Sequence, residues 1–176
     1  YINDLKIPFG QFKISPNEIP QILPQQLLML MTVDDAWRRL KSQRPSNLRQ
    51  GVFMGINLDL DSTNFATRWS LNSDLQQLDL ETTDTNALKD SITPPLNHPR
   101  TVGALGGIVA SRIAREYQCG GPSHTFSAAE NSGLAAFEAA IRSLQRQETD
   151  LCIVGAVEMA GDLRNLLVTD RLRPYS

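Results

Sequence analysis

The chain has little of the side-chain chemistry from which sites are usually built: two cysteines and two histidines in 176 residues. Cys119, Cys152, His98 and His124 form no CxxC or HxxxH pair, so no metal site is expected, and no resident cofactor suggests itself. Two cysteines without partner spacing fit a reducing compartment, and hence the cytoplasm. Long apolar runs are also missing. The longest, Leu27–Met31, is far short of the roughly 20 residues that cross a bilayer. Charge of one sign is absent too, with 17 Lys and Arg against 19 Asp and Glu for a net charge of −2. That balance argues against a nucleic-acid partner, and Arg38, Arg39, Lys41 and Arg44 read as a solvated helix end. The first residue is Tyr1 rather than methionine, so targeting is left open.

What is present fits one packed domain. Ser15-Pro16-Asn17-Glu18 has the form of a helix start, with a capping serine, a proline at the first helical position and a glutamate three residues on. A second helix is predicted from Pro24 through Leu27, Leu30, Val33, Ala36, Trp37 and Leu40, whose spacing is helical. Gly51–Ile56 reads as a short buried strand. From Asn57 the chain turns rich in Asp, Ser, Thr and Asn and loses periodicity, which predicts a long irregular surface excursion over about 57–100. Pro94, Pro95 and Pro99 break the chain before a small-sided helix over Val102–Tyr117, with His98 in the turn. The last third predicts a strand over Ser123–Ala128, a helix over Glu130–Gln147 and a second buried strand over Leu151–Val157 with Cys152 as a small hydrophobe. Strand, helix and strand at this spacing imply α/β layering.

The turn Ser127-Ala128-Ala129-Glu130-Asn131-Ser132-Gly133 is made almost wholly of small residues, so a strand can enter a helix sharply while neighbours press close. That is the form of a nucleophile elbow, where the side chain at the helix start meets a pocket and the helix N-terminus favours negative charge. A cysteine at position 130 would be activated there. Glu130 cannot form the same acyl thioester.

Gly121-Pro122-Ser123, then Ala129 and position 130, then Leu134, resemble the motif GPS-x-x-x-D-T-A-C-S-S-S-L-x-A of the beta-ketoacyl synthases, which belong to the thiolase superfamily. Leu23-Pro24-Gln25-Gln26-Leu27-Leu28 resembles that family's D-P-Q-Q-R-L helix, Gly51–Gly55 its G-V-F-x-G strand, Ser111-Arg112-Ile113 its S-R-I segment, and Asp150–Ala156 its D-x-A-L-V-G-G strand. The resemblance implies the first, N-terminal half of a thiolase-like layered α/β fold over 1–176, with the fold's first strand before Tyr1 and both catalytic histidines beyond Ser176. Half of such a fold would leave apolar surface bare and so associate. The departures from the motif are Ser127 for the aspartate, Ala128 for the threonine and Glu130 for the cysteine. Neither His98 nor His124 matches a catalytic histidine.

Glu130 can serve in two ways. In one, Ser127-x-x-Glu130 is a capping box and Glu130 bonds back to the Ser127 amide. In the other, Glu130 is a fixed anion in a pocket formed with Ser127, Ala129, Asn131 and Ser132. Family members without the cysteine are chain-length-factor-like partners of an active ketosynthase, or decarboxylating starter domains that usually carry glutamine. A carboxylate would repel a malonyl carboxylate in a dry pocket, which favours the non-catalytic partner over a malonyl-thioester decarboxylase; a scaffold with a vestigial pocket is the third reading. The resemblance further implies a twofold axis across which Ser123, His124, Thr125 and Phe126 pair with the same strand of a ketosynthase or an identical chain, with an acyl carrier protein as a further partner.

Overall fold

The computed structural model describes residues 5–8, 10–40, 48–57, 61–79, 84–158 and 163–174. Its centre is a three-stranded parallel sheet in which β1 (Gln50–Ile56) lies between β2 (Ser123–Phe126) and β3 (Leu151–Val157). All seven residues of β1 are buried, as expected of a parallel strand with helices on both faces. On one face Val52, Met54 and Ile56 meet Met29, Leu30 and Val33 of α1 (Pro24–Leu40) and Val109, Ala110 and Ile113 of α5 (Ile108–Tyr117). On the other, Phe53 packs on Ala136 and Ala140 of α6 (Ser132–Gln145), with Phe126, Cys152 and Val154 around them. The result is the expected α/β layering, and burying each large side chain contributes about 1.5–3 kcal/mol.

The start of the sheet is clamped by one ion pair. Arg49 grips Asp150 bidentately, through Nε at 3.0 Å and Nη2 at 2.8 Å, while the Arg49 amide donates to the same carboxylate at 2.8 Å. These bonds hold the Asp150 carboxyl down at a pKa of about 2.

Several predicted elements differ. The strand over Leu151–Val157, expected to be buried, is the sheet's other edge and is mostly half-buried, with Ala156 exposed and Val157 alone buried, because among the described residues only β1 pairs with it. The 57–100 stretch is not irregular: it carries α2 (Asp61–Gln77), α3 (Thr85–Ile92) and the start of α4 (His98–Gly103). Two of its polar residues are helix caps, Asp84 accepting from the Asn86 and Ala87 amides and Asn97 from the Arg100 amide. His98 therefore opens a helix instead of sitting in a turn. The helix expected over Val102–Tyr117 breaks at Ala104–Gly107, where Gln26 takes the Gly103 and Leu105 carbonyls, and Gly103 presses on the 21–22 backbone; a Cβ there would lie 2.1 Å from the Gln21 carbonyl oxygen. Ser15–Glu18 forms a turn that leads only into the 3-10 turn Ile19–Gln21. The strand predicted to Ala128 ends at Phe126, and the following helix begins at Ser132 rather than Glu130.

Gly55 sets the distance between sheet and elbow. A Cβ on it would lie 2.6 Å from the Gly133 nitrogen and from the Ser132 carbonyl carbon and oxygen, all backbone atoms. Gly55→Ala is therefore expected to destabilise the fold by about 1–3 kcal/mol. A urea unfolding midpoint unchanged by the substitution would contradict this packing.

Candidate functional site: the strand-to-helix elbow

Between β2 and α6 the chain reverses in five residues, Ser127 to Asn131. The reversal places Ala129 in the left-handed region at φ +49°, where a side chain other than glycine is uncommon. Strain of this kind is held only when surrounding bonds over-determine it. Here the bonds come from the helix start. The Asn131 amide donates to the Ala128 carbonyl at 3.0 Å and the Ser132 amide to the Ala129 carbonyl at 3.1 Å. The Ser132 hydroxyl, on a residue only 4% exposed, accepts from the Ala128 amide at 2.8 Å and donates to the Ala129 carbonyl at 2.6 Å.

Ser132 thus does what the Ser127–Glu130 capping box was expected to do. Asn131 is the N-cap of α6 and makes no side-chain cap bond, while Glu130 lies outside the helix. The Glu130 side chain is 74% exposed, with Oε1 3.5 Å from Nη1 of Arg173, itself 78% exposed beyond α7 (Leu163–Leu172). An ion pair so open contributes at most about 1 kcal/mol. Among the described residues no wall encloses the carboxylate. A cavity of about 350 Å³ does exist, lined by Pro20, Leu23, Phe65, Pro94 and Arg100 among others, and no elbow residue takes part in it.

The strand leading into the elbow is an edge. The Val52 amide donates to the Pro122 carbonyl, and Val52 pairs with Ser123. In a parallel ladder this turns the amides of His124 and Phe126 toward β1 and those of Ser123 and Thr125 toward the open side. His124 and Phe126 send their rings to the α6 face, 5.9 Å and 6.4 Å from the Phe53 ring. Thr125 faces the other way: its hydroxyl donates to the Gly107 carbonyl at 3.2 Å and accepts from the Ala110 amide at 3.4 Å. It caps α5, whose own N-cap, Gly107, has no side chain to do so. Neither Ser132 nor Thr125 was singled out for these roles from sequence. A serine in the first turn after a tight reversal is a signal for the first; the second is a tertiary contact with no local signal.

A family model for the beta-ketoacyl synthase N-terminal domain matches residues 6–176. The chain belongs to this family. Among similar proteins, a polyunsaturated fatty acid synthase polypeptide of Thraustochytrium sp. is 26% identical over 175 residues, covering 97% of this chain and 8% of that protein. Polyketide synthase GfsE of Streptomyces halstedii is 30% identical over 150 residues, covering 84% of this chain and 3% of that protein. The chain therefore spans less than a tenth of the length of these relatives. Among solved structures, the PfaC keto synthase–chain length factor aligns with a TM-score of 0.70 at 24% identity, over 89% of this chain and 18% of that one. The ishigamide ketosynthase/chain length factor aligns at 0.57 and 18%, over 86% and 39%. At these identities the likeness is one of fold, and the parallel α/β sheet described above is the ketosynthase-like one.

Removing the Ser132 hydroxyl with Ser132→Ala should cost about 1–2 kcal/mol, because the Ala128 amide of a strained turn loses its acceptor and the Ala129 carbonyl keeps only the Ser132 amide. Glu130→Ala should change stability by less than about 0.5 kcal/mol, as befits an exposed side chain. Paired denaturant titrations check both; a larger cost for Glu130→Ala would restore the capping box.

Proposed function

We propose that this ketosynthase-family chain is a non-condensing partner of an active ketosynthase in fatty-acid or polyketide assembly, acting as chain length factors do. The observation that carries the reading is Glu130 in the elbow, where the family motif has its nucleophilic cysteine. A carboxylate there cannot carry an acyl chain as a thioester. It is also unsuited to decarboxylation, since a second negative charge next to a malonyl carboxylate raises the energy of binding and stabilises no developing enolate.

Two surfaces support a partner role. The open side of β2 offers the Ser123 and Thr125 amides, and an edge of that kind is commonly covered in a native assembly. The outer face of α6 exposes Leu134, Phe137, Ile141 and Leu144, spaced three or four residues apart so that they form one stripe. Two of the similar solved structures carry chain length factor in their names, and the relatives are polyunsaturated fatty acid and polyketide synthases. On this reading Phe126, next to the elbow, helps to close the acyl tunnel of the partner. Acyl carrier protein delivers chains to the pair rather than to this chain alone. Among the described residues no helix is long and apolar enough to cross a membrane, and the unbridged thiols of Cys119 and Cys152 suit a cytoplasmic setting.

Incubation with isotopically heavy acyl donors, on carrier protein or coenzyme A, should leave residues 126–135 without an adduct by mass spectrometry. A stable adduct in that segment would end the non-catalytic reading. With the partner present, Phe126→Ala should lengthen or broaden the product distribution without abolishing condensation. Unchanged chain lengths would remove Phe126 from the tunnel.

A further inference from the structure

Two of the motifs, Leu23–Leu28 and Ser111–Ile113, bind each other directly. The Gln26 side chain, 1% exposed, accepts at Oε1 from Arg112 Nε at 2.7 Å across 86 residues of sequence. Arg112 in turn donates from Nη2 to Glu18 Oε1 at 2.8 Å. Both hydrogens of the Gln26 amide are spent on backbone: Nε2 donates to the Gly103 carbonyl at 2.7 Å and to the Leu105 carbonyl at 3.0 Å. These carbonyls belong to the end of α4 and the turn after it, where a helix leaves its last acceptors without internal partners. The Leu23 amide adds a second bond to the Gly103 carbonyl at 3.2 Å.

The same turn ends at Gly107, whose carbonyl receives the Thr125 hydroxyl of β2. Thr125 is a hinge between two surfaces, because its side chain is fixed to the turn and to the α5 N-terminus while its amide faces the open side of the sheet. A hydrogen-bonded route therefore runs from Glu18 through Arg112 and Gln26 to the 103–107 turn, and from there to the edge strand.

We infer that Gln26 is a positioning residue for the open edge of β2, holding the 103–107 turn so that Thr125 presents that edge in one geometry for pairing. The inference rests on the partner reading given above for its pairing half. It goes beyond that reading in naming a buried residue, remote in sequence, that sets the interface. Other side chains of similar length do less well at this position: leucine and methionine lack the donors, and glutamate keeps the Arg112 bond but turns acceptors toward the two carbonyls.

The test is amide hydrogen exchange read residue by residue on the full chain, wild type against Gln26→Met, with association measured on the same samples. Exchange is expected to quicken about tenfold at 108–110 and 124–126 while amides of α6 and β3 stay within about twofold, as local opening without global unfolding requires. Association should weaken by a similar factor. Uniform acceleration across all elements would overturn the inference in favour of a general stabilising role, and unchanged exchange at 124–126 would overturn it outright. Selective acceleration with association intact would overturn the link to pairing. Should Gln26→Met fail to fold, Gln26→Glu is expected to show the same selective pattern, and wild-type exchange in that variant would refute the role of the donors. A wild-type chain that associates neither with itself nor with a ketosynthase contradicts the partner reading instead, and the exchange pattern then decides the positioning role alone.

Discussion

The arrangement of the elbow depends on one close approach, that of Gly55 at the end of β1 to the backbone of Ser132 and Gly133 at the start of α6. Only a residue without a side chain lets the helix begin so near the sheet. Gly133 repeats the constraint on the far side, where a Cβ would lie 3.0 Å from that of Ala156 in β3. With the helix held there, the chain between Phe126 and Ser132 has to reverse in five residues, and the left-handed Ala129 follows from that short path. Ser132 then satisfies the strained turn from within, at 2.8 Å and 2.6 Å. Position 130 is left outside the helix and open, with no part in holding the fold.

That freedom matters on the proposed reading, in which Glu130 stands where the family motif has cysteine. Because the elbow is closed by Ser132 and not by residue 130, exchanging the side chain there costs little stability. Negative charge remains favoured near the start of α6, and Arg173 answers it at 3.5 Å across solvent. On that reading the glutamate forgoes thioester chemistry without disturbing the scaffold that positions β2.

Much of this was legible in the sequence, and the exceptions have physical causes. The strand Gly51–Ile56 was legible because a parallel strand buried on both faces is a short unbroken apolar run between turns, and Leu151–Val157 shows the same apolar run although it is a half-buried edge strand. The α1 helix showed its 3.6-residue period over Leu27, Leu30 and Val33, which do reach the core. The helices of 57–100 were hidden because they bury little: Trp69 is 89% exposed, and α2 is tied to α3 by Arg68 with Asp90 rather than by an apolar face. The Asp and Asn content of the stretch, Asp84 and Asn97 included, read as irregular chain because caps and turns share the same chemistry. At the elbow, the Ser127-x-x-Glu130 spacing has the form of a capping box, but the helix starts beyond it at Ser132, and sequence spacing alone does not show where the helix begins. The site residues stand together in one turn and one strand, but the contacts of Thr125 and Gln26 join segments whose proximity only the fold creates.

Sedimentation velocity tests whether the open side of β2 is an interface. The wild-type chain, alone and mixed with a catalytic ketosynthase, is compared with Thr125→Pro, which lacks the outward-facing amide, and with Thr125→Val, which keeps it. The expected result is an associated wild type, a clear shift toward monomer for Thr125→Pro, and a smaller shift for Thr125→Val. A wild type that sediments as a dilute, monodisperse monomer in both settings, or a Thr125→Pro variant that associates as the wild type does, would contradict it.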